Sequence, residues 1–170
     1  DLSLELWTDP DITRFVGGAR SEAELIEGHP LYMRRCALGC IGIWTLAIRE
    51  SDEKIGTAIL LPMPVEEDDT NWDMVAGEGL PDCEIEVGYI LKKSAWGKGY
   101  ATEACKRLIQ FGFEATELEE IVASTDVDNS ASQSVLLKSG MRSEGLRKSY
   151  AIMCPGFRIT RTQWCQQQAG

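Results

Sequence analysis

The 170-residue sequence is short of imidazole, of cations and of long apolar runs. His29 is the only histidine, so no histidine cluster can form. The six cysteines (Cys36, Cys40, Cys83, Cys105, Cys154, Cys165) include no C-x-x-C pair and are too sparse for a disulfide scaffold. A bound metal is therefore not expected, and reduced thiols in a cytoplasmic protein are. Lys and Arg number 17 against 27 Asp and Glu, a net charge of −10. A surface of that sign argues against wholesale nucleic-acid binding, which needs a basic footprint to neutralise phosphates. No apolar stretch approaches the ~18 residues of a membrane-spanning helix. The opening Asp1-Leu2-Ser3-Leu4-Glu5-Leu6 has neither the basic nor the apolar segment of a signal peptide. No membrane partner is expected. The lack of an initiator Met predicts that the chain is not a complete open reading frame.

What is present reads as one globular domain over residues 1–170, 44% hydrophobic and 26% charged, with no repeat or linker. Charge is spread unevenly. Residues 1–90 carry 19 acidic and 6 basic side chains, whereas residues 91–170 carry 8 acidic and 11 basic. That asymmetry predicts one anionic and one cationic face, with different partners.

Residues 1–8 read as a helix end broken by Asp9-Pro10, followed by a helical turn over Asp11–Val16. Ser21 and Glu24 form a capping box opening a helix that Gly28-His29-Pro30 should end or kink. Ile41–Arg49 and Ile55–Leu61 read as an antiparallel pair around the turn Ser51–Lys54. Residues 62–82 form a long connection rich in carboxylates, of the length usual for functional or mobile loops. Ile85, Val87, Tyr89 and Leu91 alternate with Glu84, Glu86, Gly88 and Ile90 as a strand. A helix over Gly99–Ala115, a strand over Ile121–Thr125 and a helix over Ser130–Ser139 closed by Gly140 follow. Met141–Met153 and Phe157–Trp164 read as extended, with residues 165–170 as a frayed tail. The order predicts an α/β domain with a mixed sheet and helices on its faces.

The segment Ser94-Ala95-Trp96-Gly97-Lys98-Gly99-Tyr100-Ala101-Thr102-Glu103-Ala104 carries the chemistry. A strand ends, a glycine-bearing turn follows, and a helix begins at once. First-turn N–H groups have no intrahelical partners and point outward with the positive end of the dipole. Gly97 and Gly99 let backbone approach an anion, and Lys92, Lys93 and Lys98 add attraction from a distance. The turn suits a phosphate or pyrophosphate. It is neither a Walker A loop nor a dinucleotide fingerprint. A second constellation, Asp126-Val127-Asp128-Asn129-Ser130-Ala131-Ser132, joins the next strand to its helix. Asn129 and Ser130 can cap that helix.

These residues resemble the GNAT superfamily of acyl-CoA-dependent N-acetyltransferases, and within it the ribosomal-protein-serine/alanine acetyltransferase branch. The likeness rests on Glu86-Val87-Gly88-Tyr89-Ile90-Leu91, on Trp96 to Ala104, on Asn129-x-x-Ser132 with Lys138-x-Gly140-Met141, on Glu144-Gly145 and on Trp164. Leu6-Trp7-Thr8-Asp9-Pro10 extends it to the start of the chain. It implies a single-domain, mostly antiparallel sheet with a central splayed parallel pair and flanking helices. It also implies acetyl-CoA as acyl donor, held by backbone N–H groups of Gly97, Lys98, Gly99, Tyr100 and Ala101. Backbone at Ile90, Leu91 and Lys92 would pair with the pantetheine arm, and Asn129 would hold it from the other side. Ser94 stands where the family usually has Gln or Arg, which should weaken phosphate binding without abolishing it. The family's customary first strand is expected to be absent, either because residues precede Asp1 or because this is a shortened variant with an exposed sheet edge.

The implied reaction is direct attack of a primary amine on the thioester, with a backbone N–H near Leu91 for the oxyanion. Glu86 is the candidate base and Ser132 the candidate acid. A solvated carboxylate and a helix-face or cofactor-bonding hydroxyl are the alternatives. The tyrosine that many members use as acid falls at Leu136, and a glutamate that some use as base falls at Ala151, with Tyr150 beside it as a wall of the acceptor pocket. Those two losses leave a non-catalytic acyl-CoA-binding regulator as the alternative function. The acidic loop 66–73 points to a cationic small molecule or a protein N-terminus as acceptor, with Trp7, Phe15 and Trp72 as candidate pocket walls. The protein is expected to be a monomer or homodimer.

Overall fold

The computed structural model describes all 170 residues. Helix α1 (Leu2–Trp7) is capped by the Asp1 carboxylate, and α2 (Glu22–Tyr32) opens on the capping box of Ser21 and Glu24. There follow β1 (Gly42–Ala47), β2 (Lys54–Pro62), β3 (Ile85–Leu91), α3 (Tyr100–Ala115), β4 (Glu120–Ser124), α4 (Ser130–Lys138), β5 (Arg142–Ser149), β6 (Ile152–Thr160) and α5 (Arg161–Ala169). One six-stranded sheet results, in the order β1-β2-β3-β4-β6-β5, antiparallel throughout except at β3–β4. The expected mixed, mostly antiparallel sheet with a central parallel pair is what forms.

That pair is joined at one register position, Glu86 opposite Val122. Past it, toward their C-terminal ends, the two strands part. Side chains alternate across the sheet, so β3 serves two faces. Leu60 lies beneath α3, where a Cβ on Gly112 would come within 3.4 Å of it. Val87 is its cross-strand partner and shares that face, as do Ile85, Tyr89 and Leu91. Glu84, Glu86, Gly88 and Ile90 occupy the other.

The core sits between α3 and the sheet. Ala104, Cys105, Leu108, Ile109, Gly112 and Phe113 form the buried stripe of α3, packed with Leu60, Val87, Ile121, Phe157 and Ile159. Each large apolar side chain so buried contributes about 1.5–3 kcal/mol.

Four expectations are corrected. Asp11–Val16 is a series of turns: the Asp9 carboxylate caps the N–H groups of Asp11 and Ile12, and Thr13 N–H bonds Asp9 O at 3.1 Å, but the next bonds run from Val16 and Gly18 to Thr13 O, so no regular helix continues. Helix α2 runs past Pro30 to Tyr32, since a proline in the last turn removes one bond and Tyr32 packs on Trp72 with ring centroids 5.5 Å apart. The extended segment drawn to Met153 is broken at Tyr150 and Ala151, which take φ of 52° and 62° and turn β5 into β6. Residues 161–169 are helix, started by a reciprocal cap between Thr160 and Gln163, where the sequence reading has a strand end and a frayed tail.

Candidate active site

Glycine conformation builds the first part of the site. Gly97 and Gly99 have φ of 70° and 85°, a region costly for residues with a Cβ. Nothing lies within 4 Å of where either Cβ would stand, so protein packing does not demand glycine here. Gly99 caps α3 with no side-chain bond to the first turn, so the N–H groups of Tyr100, Ala101 and Thr102 lack a side-chain cap. Trp96 donates its indole N–H to the Leu91 carbonyl at 2.9 Å and locks the turn onto the strand end. Two of the three lysines behave differently from expectation. Lys92 pairs with Glu5 at 2.8 Å, and Lys93 with Asp9 and Asp11 at 2.9 and 2.6 Å. Most of their attraction is thus spent inside the protein.

The splay supplies the second part. Lys92 N–H donates to Ile55 O at 2.8 Å, and Glu84 O accepts from Met63 N–H at 2.9 Å. Even-numbered residues of β3 therefore turn their backbone toward β2, and a Cβ at Gly56 would collide with the Ile90 carbonyl. By alternation, the backbone of Tyr89 and Leu91 faces the opening. Of the three residues expected to pair with a pantetheine arm, Leu91 is turned to it, while Ile90 and Lys92 are committed to the sheet. Tyr89, which the sequence reading does not name, shares the orientation of Leu91, and strand parity alone points to it.

On the face away from α3, Glu86 is buried, at 4% exposure. Its carboxylate accepts a short hydrogen bond from the Tyr150 hydroxyl. Burial pushes the Glu86 carboxyl up to about 8, outweighing the Tyr150 bond and the nearby Arg147 guanidinium. Burial, then the facing carboxylate, hold the Tyr150 phenol well above its usual range. Tyr150 is kept at this spot by its N–H, which donates to Pro64 O at 3.0 Å, while Ala151 N–H donates to Val65 O at 3.1 Å. The hairpin tip and the start of the acidic loop thus seal Glu86 together.

Asp69 bears on this carboxylate, and the cleft that Glu86 lines is also lined by Asp68, Asp69 and Thr70 of the loop and by the aromatic side chains of Trp7, Phe15, Tyr32 and Trp72. Arg20 sits among them, 4.9 Å from the Trp7 ring centroid, donating to Tyr32 Oη at 2.7 Å and pairing with Asp69 at 3.6 Å. On the α3 face, Asn129 Oδ1 accepts from Ser132 N–H at 3.1 Å and caps α4, which leaves the amide nitrogen as the donor for a ligand. Ser132 Oγ lies 3.0 Å from the Tyr89 hydroxyl. Leu136 is buried.

A single cleft of about 1870 Å³ connects all of this. Glu86, Ile90, Leu91, Gly97, Gly99, Tyr100, Ala101, Asn129 and Ser132 line it; Lys92 and Lys98 do not. No group of three or more His, Cys, Asp or Glu side chains is arranged to hold a metal ion. No helix is long and apolar enough to cross a membrane.

The model of the acetyltransferase (GNAT) domain matches residues 1–142. The chain belongs to the GNAT acetyltransferase family. This acetyltransferase is 28% identical over 158 residues to "Uncharacterized N-acetyltransferase p20" of Bacillus licheniformis, covering 88% of the chain and 77% of that protein. It is 26% identical over 178 residues to the FsC-acetyl coenzyme A-N(2)-transacetylase of Aspergillus fumigatus, covering 99% and 72%. In fold it is similar to the aminoglycoside acetyltransferase AAC(6')-Ib in complex with coenzyme A and kanamycin, with a TM-score of 0.73, 18% identity and coverage of 99% and 94%.

The acetyltransferase uses acetyl-CoA as its cosubstrate, and the residues present fit that group. A helix N-terminus without a side-chain cap, reached through two left-handed glycines with open space beside them, is the cradle that a pyrophosphate needs. A strand edge released by the splay suits the amide-bearing arm behind it.

Proposed function

We propose that residues 1–170 form one acetyltransferase domain that moves the acetyl group of acetyl-CoA to a primary amine by direct attack. The acceptor is a cationic small molecule or a protein N-terminus. The observation that carries this reading is the single cleft, which joins an anion-receiving turn at one end to Asp68, Asp69 and Glu86 at the other. The structural likeness to an aminoglycoside acetyltransferase supports an amine acceptor.

Acetyl-CoA supplies an activated acyl thioester. The chain's own part begins with backbone N–H groups at Gly97 to Ala101, which hold the phosphates. Leu91, with its backbone turned into the splay, offers an N–H for the charge that develops on the carbonyl oxygen. Glu86 takes the proton that the acceptor amine must lose. Its pKa near 8 puts the base close to the operating pH, where general catalysis is most efficient. Ser132, on the opposite face of β3, serves the departing sulfur. Holding both reactants at one opening removes several kcal/mol from the barrier.

A screen of amines and peptides with acetyl-CoA, following thiol release and product mass, tests the reading. Acetylated product is expected from cationic amines. Turnover restricted to neutral or anionic acceptors would overturn the acceptor assignment. Glu86→Gln should lower turnover more than cofactor affinity, and unchanged turnover at every pH would remove Glu86 from the mechanism.

A further inference from the structure

Ser132 is a weak acid for the task just given it, and its surroundings show how that weakness is met. The Tyr89 hydroxyl lies 3.0 Å from Ser132 Oγ and 3.3 Å from Ser132 O. A phenol has one proton and serves one acceptor at a time. When Tyr89 donates to the carbonyl, the 3.0 Å contact is a hydrogen bond only with Ser132 as its donor, which turns the Ser132 proton away from the cleft. When Tyr89 donates to Oγ, the Ser132 proton is freed to point outward. Rotation about two C–O bonds interconverts the arrangements.

The rest of Ser132 cannot move to compensate. Its N–H is taken by Asn129 at 3.1 Å, and it sits in the first turn of α4. Tyr89 is equally anchored, since it projects from the central strand β3 toward α3 and packs against the core. Burial raises its pKa far enough that it remains a neutral donor. Both residues line the same cleft, beside the strand edge opened by the splay. They stand on the face of β3 opposite Glu86.

We propose that Tyr89 is a positioning residue for acyl transfer: by donating to Ser132 Oγ, it directs the Ser132 O–H at the sulfur that departs. This rests on the acyl-CoA reading of the cleft and on the role of Ser132 given above. As the new C–N bond forms, the C–S bond breaks with its electron pair going to sulfur. The proton lost by the amine leaves on the Glu86 face. Ser132 keeps its own proton and stabilises the thiolate through a charge-assisted hydrogen bond, and solvent protonates the released thiolate. No serine alkoxide and no phenolate is required. The hydroxyl missing at Leu136 is thereby replaced by that of Ser132, one turn earlier on α4, oriented by Tyr89 from β3.

Product coenzyme A gives a readout that needs no turnover, because its thiol titrates and the thiolate absorbs in the ultraviolet. In the wild-type complex the midpoint should lie below that of free coenzyme A. Tyr89→Phe and Ser132→Ala should each raise it by about half a pH unit or more. The double variant should move no further than Ser132→Ala alone, as expected for residues acting as one unit. Tyr89→Phe removes one oxygen and leaves the ring. Affinity for desulfo-coenzyme A, which lacks the thiol, should stay within about twofold in all four proteins and reports an intact cleft. A Tyr89→Phe complex that titrates with wild type overturns the proposal, as do additive effects of the two substitutions. If wild type fails to bind either coenzyme, the reading of the cleft falls and takes the proposal with it.

Discussion

Glu84, just before β3, and Glu86 within it project on the same face, two residues apart, and end in opposite electrostatic states. Burial disfavours charge at both positions. At Glu84 it is outweighed by Arg147 and Arg158, which donate to the two carboxylate oxygens and hold the carboxyl below its ordinary range. Arg158 also joins Glu120 and Glu144, so the cluster is a shared network of charges. At Glu86 the hydrogen-bonding partner is a neutral phenol, and desolvation dominates. One carboxylate therefore stays ionised as part of the scaffold. The other gains and loses its proton near pH 8, close to neutrality. What separates them is the charge of the group delivered by the β5–β6 hairpin: guanidinium at one point, phenol at the other.

The comparison breaks most sharply in catalysis. Glu86→Gln is expected to lower kcat about 100-fold, the usual size of a general-base contribution, with coenzyme A affinity within about twofold. Thiol-release kinetics beside calorimetric titration measure both. Glu84→Gln should instead leave kcat near wild type and reduce stability by about 1–2 kcal/mol, because it weakens a half-exposed network without emptying a reaction centre. Urea unfolding reads this. A large loss of kcat without destabilisation would assign Glu84 to the chemistry.

Tyr150→Phe sharpens the contrast through pH. The wild-type rate should rise through an inflexion near pH 8, following Glu86. The Tyr150 bond lowers that pKa, so its removal should displace the inflexion to higher pH, with a several-fold loss at pH 7. An inflexion that stays in place would separate Tyr150 from Glu86.

A smaller effect appears in stability against pH. Glu86 has a folded pKa above its unfolded value of 4.5, so its contribution is complete below that value and is lost as pH rises through about 8. Glu84 has a lowered folded pKa, so its contribution is present above its unfolded value and is lost as pH falls below it. Glu86→Gln should flatten the decline between pH 5 and 8, and Glu84→Gln should flatten the acid limb. Unfolding free energies measured from pH 3 to 9 test both signs.

How much was legible varied by residue. The cofactor turn could be read because Gly97 and Gly99 meet a local φ requirement and a helix start follows at once. The pattern of α3 and the cap at Asn129 are equally local. The turn at Tyr150–Ala151 was hidden, since left-handed hairpin positions are usually signalled by Asn-Gly or Asp-Gly and neither residue carries that signal. Helix α5 did carry a signal, the Thr160-x-x-Gln163 cap, in a stretch that otherwise read as strand. The pairing of Lys92 and Lys93 is invisible to local pattern because their partners, Glu5, Asp9 and Asp11, lie more than 80 residues earlier.

The sequence by itself carried the resemblance to the family, and it determined the order of elements as far as β6 and the glycine turn, because these last two depend on backbone preferences within a few residues. Only the tertiary structure decided which of Glu84 and Glu86 is desolvated beside a phenol and which hydroxyl contacts Ser132. Those assignments depend on desolvation and pairing by groups that arrive from Pro64, Arg147, Tyr150 and Arg158, at distances along the chain that no local pattern spans.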